Sequence, residues 1–156
     1  MLGVRLFILA LSVVAGSMVA AAKDLALISH RGNSASSVPM PELVKLCKGQ
    51  TDRWPDGKPV TFVIRDPGAP EMRLVLEKVY NMSKNEVIAT ISAANYGRMS
   101  HPAIIVVDSD DAVLTKVETT PGAVGLVDVY SITSGVQVLK VGGKLPLEPG
   151  YPLHGN

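Results

Sequence analysis

The chain of 156 residues has one cysteine, Cys47, so no internal disulfide can form whatever the redox state of its surroundings. Cys47 falls with Leu43 and Leu46 on the apolar side of a predicted helix, which reads as a buried thiol rather than a reactive one. An excess of either charge is also missing, with 15 Lys and Arg against 14 Asp and Glu. That balance does not suggest a nucleic-acid binder or a polybasic membrane binder. Catalytic signatures are lacking too. His30, His101 and His154 lie far apart in loop-like contexts, and no HExxH, CxxC or GxSxG spacing occurs. No enzyme and no cofactor are expected on that ground. Asp108-Ser109-Asp110-Asp111 lacks the glycine and distal glutamate of a calcium loop, and acidic residues in a first helical turn are what the helix dipole favours. No internal repeat or low-complexity tract is visible.

What is present begins with a leader. Arg5, an apolar run from Leu6 to Ala15, and Ala20-Ala21-Ala22 as a small-residue cleavage site read as a signal peptide over residues 1–22. The run is too short to span a bilayer, and no cysteine follows it for lipid attachment. A periplasmic or secreted protein without a membrane span is expected, in which 23–145 form one α/β domain and 146–156 an irregular, partly mobile tail. Without Arg5, basic and acidic residues number 14 each.

Strand-like and helix-like runs alternate after the leader. Strands are predicted at Leu25–Ser29, Val60–Ile64, Ile104–Val107, Ala123–Val127 and Val136–Val141. Helices are predicted at Pro41–Cys47 and Pro70–Tyr80, then after a Ser83/Glu86 capping box, and at Ser109–Glu118. This order implies an α/β sandwich on a mixed or mostly parallel sheet flanked by helices, in which ligands favour the carboxyl ends of strands. Arg65 falls at such an end. It opens the turn Arg65-Asp66-Pro67-Gly68-Ala69-Pro70-Glu71-Met72-Arg73, and a turn there aims backbone N–H groups and a helix dipole at whatever sits above it. Such turns are also ordinary structural punctuation.

The polar loop His30–Met40 reads either as a second wall of an anion site or, preferably, as a solvated connector. Trp54, before the Pro55-Asp56-Gly57 turn, reads as a loop anchor packed on the core. Pro121-Gly122-Ala123-Val124-Gly125 reads as a tight turn feeding a buried strand, its glycines permitting close backbone approach. Arg73 is expected to pair with a neighbouring carboxylate on the surface.

Leu25-Ala-Leu-Ile-Ser29, Pro41-Glu-Leu-Val-Lys-Leu46, Lys48-Gly49-Gln50, Arg53-Trp54-Pro-Asp-Gly57, the turn from Arg65 to Arg73, and Thr120-Pro-Gly-Ala-Val-Gly125 occur in the order seen in the phosphate-binding proteins of ABC transporters. From about Leu25 to Asp128 the chain resembles one lobe, the second, of such a protein. The resemblance implies a single lobe of a type II periplasmic-binding-protein-like fold. It also implies a phosphate or other small oxyanion as ligand, with the anion site at Arg65, Gly68, Ala69 and Glu71. In the family the strand arginine leads into a Gly-Ser-Gly-Thr turn that grips the phosphate; here Ala69, Pro70 and Glu71 replace the serine, second glycine and threonine. Two hydroxyls and one N–H are thereby absent, and a carboxylate stands where the phosphate would bring negative charge. The expectation is weak oxyanion binding, alone or with a protein partner completing the cleft. The alternative is an interaction module that kept the fold and lost the ligand.

Overall fold

The computed structural model describes residues 23–155, and the leader assigned to 1–22 lies outside the described residues. Six strands form one sheet: β1 (Leu25–His30), β2 (Ser37–Val38), β3 (Thr61–Arg65), β4 (Ile104–Val107), β5 (Ala123–Asp128) and β6 (Val136–Val141), in the order β2-β6-β1-β5-β3-β4. β3 pairs parallel with β4 and β5, β2 pairs parallel with β6, and β1 runs antiparallel to both β5 and β6. The sheet is therefore mixed. The expected strands are all present; β2 is an addition, a two-residue edge inside the loop predicted at His30–Met40.

Period-two alternation sorts the strand side chains to two faces. Ala26 and Ile28 of β1, Val63 of β3 and Val127 of β5 pack against Val113, Leu114 and Val117 of α4 (Asp110–Thr119). Leu27, Phe62, Ile64 and Leu126 point the other way and form the larger core. That core is covered by α1 (Met40–Cys47), by the helical segment Pro70–Tyr80 and by α3 (Lys84–Asn95). Gly125 in β5 allows α4 to approach closely, because a Cβ there would lie 2.6 Å from Val113 Cγ1 and 2.8 Å from the Val63 carbonyl oxygen. Cys47 is buried, and burial pushes its thiol far above the ordinary range, which leaves it inert.

The segment predicted as one helix over Pro70–Tyr80 is a composite. A 3₁₀ turn (Pro70–Met72) leads through α2 (Arg73–Val75) into a π-helical turn (Leu76–Tyr80), and Asn81 ends it in the left-handed region at φ 50°. Its buried face puts Met72, Val75, Val79 and Tyr80 in the core, with Leu76 half-buried beside them. α3 begins with the capping box: Ser83 Oγ accepts from Glu86 N, and Glu86 Oε2 accepts from Ser83 N at 2.7 Å. These bonds from Ser83 hold the Glu86 carboxyl below its ordinary range. Such a group contributes stability above its unfolded pKa and loses it as pH falls through the folded one. Ser83→Ala should cost about 1 kcal/mol, whereas Glu86→Ala should lower the melting temperature at neutral pH by a margin that shrinks in acid, where the wild-type carboxyl is itself protonated.

Residues 146–155 follow β6 as a tail. It has no helix or strand, yet it belongs to the core: Tyr151 and Leu153 are buried, and the Tyr151 hydroxyl donates to the Leu25 carbonyl at 2.7 Å. Leu25 N donates to Leu153 O, and Gly155 N to Lys23 O. The buried Asp24 carboxylate accepts from Leu147 N and meets His154 Nδ1 at 2.6 Å. The packed chain therefore runs well past residue 145. A segment without regular structure still fills a core when its apolar residues reach one.

At the open edge of the sheet, the side chain of Asn95 donates to the Ile104 carbonyl and accepts from the Ile104 N–H. The Ala103 and Val107 carbonyls face β3 instead.

Candidate functional site

The carboxyl ends of β3 and β5 and the start of β1 meet at one edge of the sheet, since Leu25 is registered with Asp128. A cleft of about 610 Å³ opens there between the Pro70–Tyr80 segment and the start of α4, lined by Lys23, Leu25, Arg65, Glu71, Asp110 and Asp128 among others. Arg65, last residue of β3, extends into it with a largely covered side chain.

The guanidinium is already met by carboxylates. Arg65 Nη2 lies 3.6 Å from Glu71 Oε2, and Nη1 lies 3.5 Å from Asp110 Oδ1. The other oxygen of Asp110 accepts from Asp128 N at 3.1 Å and Ser131 Oγ at 3.0 Å, so this carboxylate is fixed in place. Glu71 is more than half exposed and has room to move. Arg65 Nε is buried without a hydrogen-bond partner among the described residues.

The turn's N–H groups face inward. Gly68 N donates to Asp66 Oδ1 at 2.7 Å, and Ala69 N donates to Asp66 O at 2.9 Å. Asp66 thus serves as the turn's own acceptor, a local bond that Asp readily makes. Of the four expected anion residues, Arg65 and Glu71 line the cleft and touch each other, whereas the Gly68 and Ala69 donors are engaged within the turn. Arg73 pairs with Glu77 at 3.2 Å on the surface.

The second-wall reading of the loop His30–Met40 fails on register. Ser29 pairs with Val124 and Thr61 with Ala123, so His30 sits at the starts of β3 and β5, a sheet length from Arg65. Residues not anticipated take its place. Asp110 was legible only as a first-turn acid of α4, capped by Ser109; its contact with Arg65 depends on how α4 lies on the sheet. Lys84 lies over the turn, with its ammonium about 3.0 Å from where a Cβ on Gly68 would stand. Trp54 is the anchor expected of it, buried and donating from Nε1 to the Gly122 carbonyl at 2.8 Å.

No family model and no curated protein matches the sequence. Solved structures do match. An ABC-type phosphate transport receptor from Vibrio cholerae aligns at a TM-score of 0.68 and 16% identity, over 86% of this chain and 54% of the receptor. A Clostridium perfringens protein solved with bound phosphate aligns at 0.69 and 17% identity, over 85% and 53%. PstS from Borrelia burgdorferi aligns at 0.66 and 20% identity, over 86% and 55%. The chain has the fold of phosphate ABC transporter substrate-binding proteins. It spans about half the length of each of these structures. A mixed sheet flanked by helices, the architecture expected from the order of elements, is what this phosphate-binding-protein fold provides here. No helix among the described residues is long and apolar enough to cross a membrane.

Proposed function

We propose that this is an exported, non-catalytic binding lobe of the phosphate-binding-protein type, which takes a small oxyanion at Arg65 weakly or with a partner completing the cleft. The observation that carries this reading is the position of Arg65: a cation at the carboxyl end of a parallel strand, in the cleft, with one donor unused. That is where an α/β sheet of this kind offers a ligand its site. The likeness to proteins named for phosphate binding and transport supports the ligand class and argues against catalysis. The signal-like leader supports export.

Weak affinity follows from the charges. An arriving oxyanion must displace Glu71 from the guanidinium while Asp110 stays, and the turn offers neither hydroxyls nor free N–H groups at Gly68 and Ala69. Each charge-assisted hydrogen bond missing from such a site removes about 1.5–3 kcal/mol. Isothermal titration of the purified chain with phosphate and sulfate should give a dissociation constant of about 1 mM or weaker, and Arg65→Ala should abolish the heat. Sub-micromolar binding, or binding that survives Arg65→Ala, would put the site elsewhere. The second reading, an interaction module without a ligand, is favoured by the same two carboxylates on Arg65; silence from both wild type and Glu71→Gln would decide for it.

A further inference from the structure

The loops at the end of the sheet opposite the cleft concentrate charge that the chain-wide sum conceals. Three of them meet there: His30–Met40, Lys48–Pro59 and Tyr96–His101. Lys58 Nζ donates to the Gly32 carbonyl at 2.8 Å, Arg98 reaches Asp52 at 2.6 Å, and a Cβ on Gly49 would touch Ala94 and Ala103. Together they carry five basic residues, Arg31, Lys48, Arg53, Lys58 and Arg98, against two acidic ones, Asp52 and Asp56. His30 and His101 lie in the same loops. The rest of residues 23–155 therefore holds nine basic and twelve acidic residues, of which Glu42 reaches these loops through Thr51 and Glu118 lies against Gly135 at the same end.

Two large apolar side chains stand out from the basic end. Tyr96 is 90% exposed and Met99 97%, three residues apart on the loop joining α3 to β4. Beside them is a shallow depression of about 450 Å³ whose lining is mostly polar, including Asp52, Thr61, Arg98 and His101. A partner protein that buried Tyr96 and Met99 would have to supply matching pockets, and this surface offers no apolar groove in return. A fluid interface needs no such complementarity. Tyrosine settles at the headgroup level, methionine below it, and surrounding cations are drawn to anionic lipid.

We propose that this end of the molecule docks on an anionic lipid bilayer, with Tyr96 and Met99 entering the headgroup layer and Arg31, Lys48 and Arg53 facing the lipid phosphates. Arg98 and Lys58 contribute less, because each has an acidic neighbour within 4 Å.

Sedimentation of the full chain with vesicles tests this, comparing mixed phosphatidylglycerol and phosphatidylcholine with phosphatidylcholine alone. The apolar run Leu6–Ala15 would partition by itself, so the readout is the difference between wild type and variants that share it. Wild type should bind the anionic vesicles roughly fivefold more than the neutral ones. That preference should fade as salt rises from about 50 to about 500 mM, where charges are screened within a few ångströms. Tyr96→Ser with Met99→Ser, and separately Arg31→Gln with Arg53→Gln, should each remove most of the preference while a cooperative melt shows the fold retained, since all four side chains are exposed and only the surface bond from Arg53 Nη1 to the Gly57 carbonyl is lost. Equal binding of wild type to both vesicles, or a preference that survives both variants, overturns the proposal. Capture by poly-L-glutamate without capture by vesicles also overturns it, in favour of an acidic protein surface.

Discussion

Gly122→Ala should cost the domain about 3 kcal/mol, enough to shift a urea midpoint well outside experimental scatter. Gly122 sits at φ +80°, in the left-handed region, and a Cβ there would lie 2.1 Å from the Pro59 carbonyl oxygen. The atom it meets is backbone and the Cβ is fixed to its own, so relief requires the loop Lys48–Pro59 to move away from the start of β5. That loop is held by Trp54, whose indole N–H donates to the carbonyl of Gly122 itself. Displacing one side therefore strains the other. Gly57→Ala is the control: φ is +88° and nothing lies within 4 Å of its Cβ position, so only the conformational cost of about 1 kcal/mol applies. If denaturant titrations gave equal losses for the two variants, the close approach at Gly122 would not be what requires glycine there.

Rebuilding the turn should raise oxyanion affinity by roughly ten- to a hundredfold, the worth of one charge-assisted hydrogen bond. Ala69→Ser and Glu71→Thr add two hydroxyls, Pro70→Gly adds an N–H, and the exchange at position 71 takes a carboxylate off Arg65. Asp110 remains, held by Asp128 and Ser131, so the guanidinium keeps its orientation while half its opposing charge is gone. Stability should fall somewhat, since Pro70 is well suited to a first helical position and glycine is not. Titration of the triple variant with phosphate reads the gain, and adding Arg65→Ala should erase it. A folded triple variant as indifferent to phosphate as the wild type would mean that the turn has become a connector and that binding lies outside it.

The parts of this site that were legible in the sequence are those set by local rules. Arg65 at a strand end followed from a β-branched run stopping at a Pro-Gly turn, and Ser83 with Glu86 followed from their spacing alone. The direction of β1 was not legible, because a five-residue apolar run reads the same in a parallel or an antiparallel neighbour. That direction decides that the loop after Ser29 leaves at the far end from Arg65. Asp110 shows the same limit. Its place in the first turn of α4 was readable, but its contact with Arg65 comes from helix packing over Gly125. Nor does a chain-wide charge sum register where charges gather. Fourteen of each sign look bland until the loops bearing Arg31, Arg53 and Arg98 are brought to one end.

The side-chain amide of Asn95 has a consequence for how this protein behaves among its own copies. β4 is the outermost strand, and the residues whose backbone groups turn away from β3 are Ile104 and Val106. The amide takes both groups of Ile104, acting as a one-residue counterfeit of a neighbouring strand. A second molecule seeking to extend the sheet would find a single open position at Val106, too short a run to template a ladder. Among the described residues, then, a helix side chain closes the β4 border of the sheet against growth, and it does so without adding a charge or a proline to the strand.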